Sequence, residues 1–253
     1  MAKKNRNQDR NQRPSEEDQS PEGQEGGAPS AAQPSLEDRV NEFIFDYKRE
    51  LGIGVAVIAV LILGYVGYQQ LILAPVEAEA EEEMYRAQWA FENDSLENAL
   101  HGVQGEFMGF RDITREYSGT SAGNLAHYYA GVISLRLDEY EEAIDYLQNF
   151  HTESKMFAPL RLGVLGDAHS QLGEHQEAAD YYLRAGEKEE NPLTAPVFFK
   201  KAGLTFEQEL ENYDRALEAY NEIEDNYEDT RFGDDIVKYI SRVESKIESG
   251  TGS

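Results

Sequence analysis

The chain of 253 residues contains no cysteine. A disulfide framework, a thiol nucleophile, an iron–sulfur cluster and a cysteine-liganded zinc ion are therefore excluded. Basic residues are also few: 23 lysines and arginines stand against 49 aspartates and glutamates, which gives a formal net charge of −26. Because such a chain repels phosphate backbones, we expect no nucleic-acid partner.

Large apolar side chains are absent from residues 1–34, which contain no Val, Ile, Leu, Phe, Tyr or Trp but four of the eight prolines. A segment of this composition buries too little apolar surface to offset the entropy of ordering it, about 1–2 kcal/mol per residue. We therefore predict a disordered tail, and we predict disorder for residues 249–253 as well. Five basic residues near the start could bind acidic lipid or RNA weakly, but a solvated tail is the favoured interpretation.

An amphipathic helix is predicted for residues 35–50, ahead of the most apolar part of the chain. Ser35 offers an N-cap and Asp38 occupies the capping-box position. Apolar residues then recur at helical spacing, namely Leu36, Val40, Phe43, Ile44, Tyr47 and Leu51.

One long run carries no charge: 26 residues from Leu51 to Val76. At about 1.5 Å per residue, its first 23 residues extend about 35 Å, which is enough to cross a hydrocarbon layer of about 30 Å with some tilt. We predict a transmembrane helix over residues 51–75. A buried core helix is one alternative, although a core helix of this length normally keeps a polar face. A cleaved signal peptide is another, which the fifty residues before the run disfavour.

The charges that flank the span predict its orientation. Arg39, Lys48 and Arg49 precede it, whereas five glutamates follow it within residues 77–83, and the next basic residue is Arg86. The positive-inside rule therefore predicts a cytoplasmic N-terminus and an exported C-terminal part. The exported part contains 38 of the acidic residues and 15 of the basic ones, a net charge of −23.

Three segments of the exported part resemble one another: residues 135–150, 170–185 and 208–223. A period near 34 residues, with two helices in each copy, is typical of stacked helical hairpins. We predict an all-α fold in which a single transmembrane helix precedes a solenoid of about four hairpins and a capping helix, over residues 76–248. The copies align on one alanine each, and a weaker copy precedes them, so that the column reads Ala99, Ala143, Ala178 and Ala216.

Four columns recur in register: a small residue, an aromatic residue, the alanine and a large residue. They read Gly131, Tyr140, Ala143 and Leu147 in one copy and Gly166, His175, Ala178 and Tyr182 in the next. In the last copy Tyr213, Ala216 and Tyr220 match, and we assign Leu204 to the glycine column, with Gly203 beside it. Over residues 80–225 the pattern resembles tetratricopeptide repeats.

The whole plan, a membrane helix with basic residues before it and an acidic repeat domain after it, is similar to a bacterial envelope group that includes the ancillary subunit of the SecYEG translocon. The resemblance implies a single-pass protein of the bacterial inner membrane whose repeat domain is periplasmic. It also implies interaction with the translocon or with periplasmic chaperones. The fold by itself does not specify a partner.

Patterns that carry catalytic chemistry are missing from the sequence. The five histidines show no metal-ligand spacing, and there is no phosphate-binding loop, dinucleotide fingerprint or nucleophile elbow. We therefore predict no catalytic residue, no metal site and no cofactor.

A stack of hairpins offers instead a concave groove lined by the first helix of each pair. For any one residue there, packing or exposure to water is an equal alternative to binding, and a peptide with an aromatic or apolar anchor fits the groove best. The predicted partner-binding residues are Tyr128, Val132, Leu135, Arg136, Asp167, Gln171, Lys201, Thr205 and Gln208.

Two functional hypotheses follow from these patterns. The first is a non-enzymatic module that binds proteins or peptides near the membrane, in protein export or chaperone recruitment. The second is a structural scaffold of an envelope complex that acts through self-association. The acidic surface has two interpretations as well: it attracts a basic partner, or it is a solvated coat suited to high salt, as the 9 lysines against 49 acidic residues suggest.

Overall fold

A computed structural model describes residues 35–250, without the side chains of residues 38 and 41–44. The predicted disordered tail, residues 1–34, lies outside this part of the chain, and so do residues 251–253. By internal contacts the chain divides into two units, of which the first ends at Val60 and the second begins at Leu61.

The described chain is helical except for one short β-hairpin. Its helices are α1 Leu36–Asp46, α2 Lys48–Tyr68, α3 Ala74–Glu92, α4 Leu96–His101, α5 Phe110–Glu116, α6 Ser121–Arg136, α7 Tyr140–Asn149, α8 Phe157–Gln171, α9 His175–Lys188, α10 Ala195–Gln208, α11 Tyr213–Tyr227 and α12 Gly233–Gly250. The last helix thus runs two residues into the segment predicted to be disordered.

The predicted helix 35–50 is divided in two at Tyr47, where α1 has ended and α2 has not yet begun. The N–H of Arg39 donates to the carbonyl of Ser35 at 3.1 Å, so the helix starts at the expected residue. All the residues of α1 whose side chains are described are exposed.

The apolar run lies within a helical stretch of 45 residues, Lys48–Glu92, whose most apolar 18-residue window has a mean hydropathy of 2.3. This stretch is long and apolar enough to cross a membrane. No residue of that window is buried, so no described part of the chain covers it. A core helix is mostly buried, so the exposure of this window within the described residues disfavours that alternative.

The helix continues through Pro75, which is the second residue of α3. A π-helical turn, Gln69–Leu73, comes just before it, and the N–H of Ala74 donates to the carbonyl of Gln69, five residues back. A proline ring clashes with the carbonyl four residues earlier in an α-helix. The wider turn accommodates Pro75 without ending the helix.

Four helix–turn–helix pairs follow, α3–α4, α6–α7, α8–α9 and α10–α11, and α12 packs on α11. Each pair turns through one residue with a left-handed backbone, five positions before the buried alanine of the repeat. These residues are Asp94 (φ 59°), Asp138 (φ 64°), Gly173 (φ 77°) and Glu211 (φ 48°). A left-handed residue is a common way to end a helix. The weaker copy, which comes first along the chain, therefore turns in the same way as the other three.

Small residues allow the two helices of a pair to approach closely. A Cβ atom on Gly131 would lie 2.6 Å from the side chain of Leu147, and one on Gly166 would lie 2.6 Å from the ring of Tyr182. In the last copy the ring of Tyr220 lies against Gly203. The assignment of Leu204 to the glycine column is therefore wrong, because this copy has one more residue between its small residue and its turn.

The additional residues after the weaker copy form an antiparallel β-hairpin that the sequence patterns did not predict. Its strands are β1 Gly102–Val103 and β2 Phe107–Met108. Gly102 and Gly105 both adopt positive φ, 76° and 81°, which allows the chain to reverse within a few residues. The backbone N–H of Met108 donates to the Glu83 carboxylate on α3 at 2.8 Å, which fixes the hairpin to that helix.

The terminal helix α12 covers the exposed end of the last pair with an apolar face. Ile236, Ile240 and Val243 are buried, as the helical spacing predicts, and Ile247 packs against the same core. Val237, by contrast, is 52% exposed. It follows Ile236 directly and so lies about 100° further round the helix.

Candidate partner-binding groove

A cavity of about 270 Å³ lies between the second and third pairs and brings together three of the predicted groove residues, Leu135, Asp167 and Gln171. Leu135 is near the end of α6, and the other two are on α8. The lining is completed by Asp138 at the α6–α7 turn, Tyr140 at the start of α7, Ser170 on α8 and Tyr182 on α9. Most of the lining is polar, with the Leu135 side chain as its apolar contact.

The carboxylate of Asp167 is fixed from two neighbouring helices. It accepts a hydrogen bond from the Tyr182 hydroxyl on α9 at 2.6 Å. It also forms an ion pair with Lys201 Nζ on α10, at 2.6 Å. Burial of the phenol, together with the adjacent Asp167 charge, raises the pKa of Tyr182 above its ordinary value. The hydroxyl therefore stays protonated and remains a donor. Asp167 and Lys201 thus form one polar unit at the cavity.

Tyr128 belongs to an aromatic cluster. Its ring lies 5.4 Å from that of Phe150 and 5.1 Å from that of Phe157, between ring centroids. Burial raises the pKa of its hydroxyl. The cluster joins α6 to the loop before α8, and Val132, one turn further along α6, is half-buried.

Arg136 contacts the preceding pair. Its guanidinium donates to the Asp94 carboxylate at 2.6 Å and lies 5.6 Å from the centre of the Phe91 ring. Both partners are at the α3–α4 turn. Arg136 therefore connects adjacent pairs, and its charge is already partly neutralised.

The two remaining predicted residues, Thr205 and Gln208, are near the end of α10. Thr205 is buried, and its hydroxyl donates to the Lys201 carbonyl at 2.9 Å, whereas Gln208 is exposed. Once Gly203 is taken as the small residue, the positions equivalent to Asp167 and Gln171 are Leu204 and Gln208. Because of the extra residue in this copy, the side chain of Thr205 faces the core.

Sequence reasoning missed a buried carboxylate on the same helix, Glu207, which is 2% exposed. It accepts hydrogen bonds from Arg242 and Lys246 on α12 and from the Tyr220 hydroxyl on α11. The basic residues lie 35 and 39 positions further along the chain, so no local spacing could have revealed the cluster.

Among residues 35–250, no group of three or more histidine, aspartate or glutamate side chains could hold a metal ion. His169 is a packing residue: its ring stacks on Tyr181 at 5.0 Å, and Nδ1 lies 2.6 Å from the Glu174 carboxylate.

Neither the known family models nor the curated proteins include a match to this chain.

Proposed function

We propose that the protein is a non-enzymatic, single-pass membrane protein whose helical repeats bind partner proteins or peptides through the groove that contains Asp167. The apolar part of the helical stretch, α2 and the turn that follows it, supplies the anchor, and the pairs from α3 to α11 supply the binding domain. The long helix is apolar and uncovered by any described residue, which supports the membrane assignment.

We place the N-terminus in the cytoplasm and the repeats outside it, in the bacterial periplasm. The support is the charge asymmetry, with Lys48 and Arg49 at the start of α2 and a glutamate-rich first half of α3 after it. The net charge of −23 then belongs to the exported domain.

The tetratricopeptide assignment is part of the proposal. It is supported by four helical pairs that turn through equivalent residues and by the small residues Gly131, Gly166 and Gly203 at their crossings. Through that resemblance, the translocon and periplasmic chaperones are the partners to test first.

The observation that carries the binding proposal is the cavity beside Asp167. It combines an apolar side chain, Leu135, with a carboxylate and an amide, Asp167 and Gln171. A peptide side chain can pack on the leucine while its backbone N–H donates to the amide oxygen. At about 270 Å³ the cavity accommodates one residue of a partner rather than a whole small molecule.

Photocrosslinking in intact membranes tests this proposal. A benzoylphenylalanine at Gln171, which is exposed and lines the cavity, should form one discrete adduct with a partner protein. The same residue at Asp180, exposed on α9, is the control and should not form it. When Leu135→Glu is added to the chain that carries the crosslinker at Gln171, the adduct should disappear, because a charge replaces the apolar contact.

Equal labelling from the two positions, or an adduct that survives Leu135→Glu, would count against a binding groove.

An adduct whose second component is another copy of this chain would favour the other candidate function, a self-associating scaffold. One observation supports that candidate: Tyr85 and Trp89 lie one turn apart on α3 and are 69% and 60% exposed. Trp89→Glu should then lower the oligomer size in mild detergent.

A further inference from the structure

A second cavity, of about 450 Å³, has an unusual charge for this protein. Its basic lining residues are Arg161 on α8 and Arg184 and Lys188 on α9. Two carboxylates, Glu153 and Glu187, also line it, together with Thr152, Ala158 and Leu162. The lining therefore carries a net positive charge inside a domain whose net charge is −23. The cavity shares no lining residue with the groove cavity beside Asp167.

The three basic side chains have no carboxylate partner among the described residues, although acidic residues outnumber basic ones throughout the domain. Most of the other basic residues there are paired, as Arg136 is with Asp94 and Lys201 with Asp167. The guanidinium of Arg184 lies 5.0 Å from the centre of the Tyr181 ring. The Nε of Arg161 is buried without a hydrogen-bond partner. Cationic groups without a counter-charge in the described part of the chain favour an anionic ligand supplied from outside.

The chemistry of the lining selects the ligand. Two guanidinium groups suit a planar oxyanion that accepts paired hydrogen bonds, and a carboxylate is such a group. Glu153 and Glu187, like the acidity of the surrounding domain, disfavour a phosphate group, which carries more negative charge than a carboxylate. A volume of about 450 Å³ suits one or two amino-acid side chains or a small dicarboxylate.

We propose that the cavity between the start of α8 and the end of α9 binds a carboxylate group, held by Arg161 and Arg184 with Lys188 at its rim. Two sources offer this chemistry: an acidic segment of a partner protein and a free dicarboxylic acid. In the first case the site gives this acidic protein a second and separate contact with a partner.

Binding to the full chain in nanodiscs of zwitterionic lipid tests the proposal. The probes are a rhodamine-labelled tetraglutamate peptide, followed by fluorescence anisotropy, its tetraglutamine counterpart, and unlabelled succinate or inorganic phosphate as competitors. The glutamate peptide should bind saturably and the glutamine peptide should not. The double variant Arg161→Gln with Arg184→Gln should lower the affinity for the glutamate peptide at least tenfold, since two charge-assisted contacts are lost.

The matched control is Arg115→Gln with Arg231→Gln, which removes the same charge from two basic residues that do not line the cavity, and it should change affinity less than twofold. Lys188→Gln, at an exposed position in the last turn of α9, supplies a variant with little risk to folding and should weaken binding about threefold. Displacement by millimolar succinate identifies a free dicarboxylate as a ligand, and resistance to it identifies the peptide; both support the site.

Three results would overturn the proposal: no saturable binding of the glutamate peptide, equal loss of its affinity in the two double variants, or displacement by phosphate but not by succinate. Each leaves the groove proposal standing, because the crosslinking position Gln171 is outside this cavity.

Discussion

The carboxylate of Glu207 on α10 accepts two hydrogen bonds from the guanidinium of Arg242 on α12, at 2.7 and 2.6 Å. Lys246 Nζ, one turn further along α12, donates to the same carboxylate at 3.1 Å. The Tyr220 hydroxyl on α11 donates to it as well, at 3.1 Å. One buried acidic group thereby connects the last three helices and fixes the position of the terminal one.

Replacement of that carboxylate should destabilise the end of the domain. Glu207→Gln leaves Arg242 and Lys246 without their counter-charge, and we expect a loss of about 2 kcal/mol in the free energy of unfolding. The loss stays below the largest values for buried pairs, because both basic side chains are more than 40% exposed and can be hydrated. Urea denaturation of the full chain in detergent measures it. Glu209→Gln, at an exposed position on the same segment, should stay within about 0.5 kcal/mol; equal losses would contradict the assignment.

The contribution of Glu207 should depend on pH in a definite direction. Burial alone would raise the pKa of Glu207, but the hydrogen bonds from Arg242, Lys246 and Tyr220 outweigh it and hold the pKa below the ordinary glutamate value. The unfolded chain therefore takes up this proton more readily than the folded chain. The stabilisation is present above the unfolded pKa, about 4.3, and is lost as the pH falls through the lower folded value.

We therefore expect the difference in unfolding free energy between the wild-type chain and Glu207→Gln to be largest at neutral pH and to shrink in acid. Urea titrations at several pH values between 7 and 3 check this. A difference that stayed constant over that range would show that the ionised carboxylate is not the stabilising group.

The close approach of α8 and α9 gives a steric prediction. A methyl group at Gly166 would lie 2.6 Å from the Tyr182 ring, which already donates its hydroxyl to Asp167. Gly166→Ala should therefore cost about 1–3 kcal/mol, since α8 and α9 each pack against a further helix, α7 and α10, and cannot separate without disturbing those contacts. Gly119→Ala is the matched control, because nothing lies within 4 Å of its added methyl group. Similar thermal midpoints for the two variants would rule out close packing at Gly166.

The helical spacing and the alanine column were sufficient to predict the helical pairs and the apolar stretch, because both depend on local pattern. The fourth pair, α10–α11, shows where pattern fails: the spacing from Ala216 assigned Leu204 to the crossing, but one additional residue before the turn moves Gly203 there. The same displacement places the side chain of Thr205 in the core. Glu207 and its partners could not be predicted, since their contacts join residues 35 and 39 positions apart without a repeating period.

Salt should stabilise the acidic domain without being required for folding. A net charge of −23 repels itself at low ionic strength, and added salt screens that repulsion, so the thermal midpoint should rise by several degrees between low and molar NaCl. The apolar core around Phe206 and Tyr220 should nevertheless keep the chain folded in dilute buffer. Circular dichroism at both salt concentrations measures this. Loss of the helical signal at low salt would support the solvated coat suited to high salt.

The central claim is that α2 anchors the chain in the membrane and that the repeats lie on the far side from the cytoplasm. Fusions after Ser253 test it most directly, one to a reporter that functions only outside the cytoplasm and one to a reporter that functions only inside it. We expect activity of the first alone. We also expect that exchanging Lys48 and Arg49 for glutamate reduces that activity. Activity of the second reporter alone in the wild-type chain would show that the repeats are cytoplasmic.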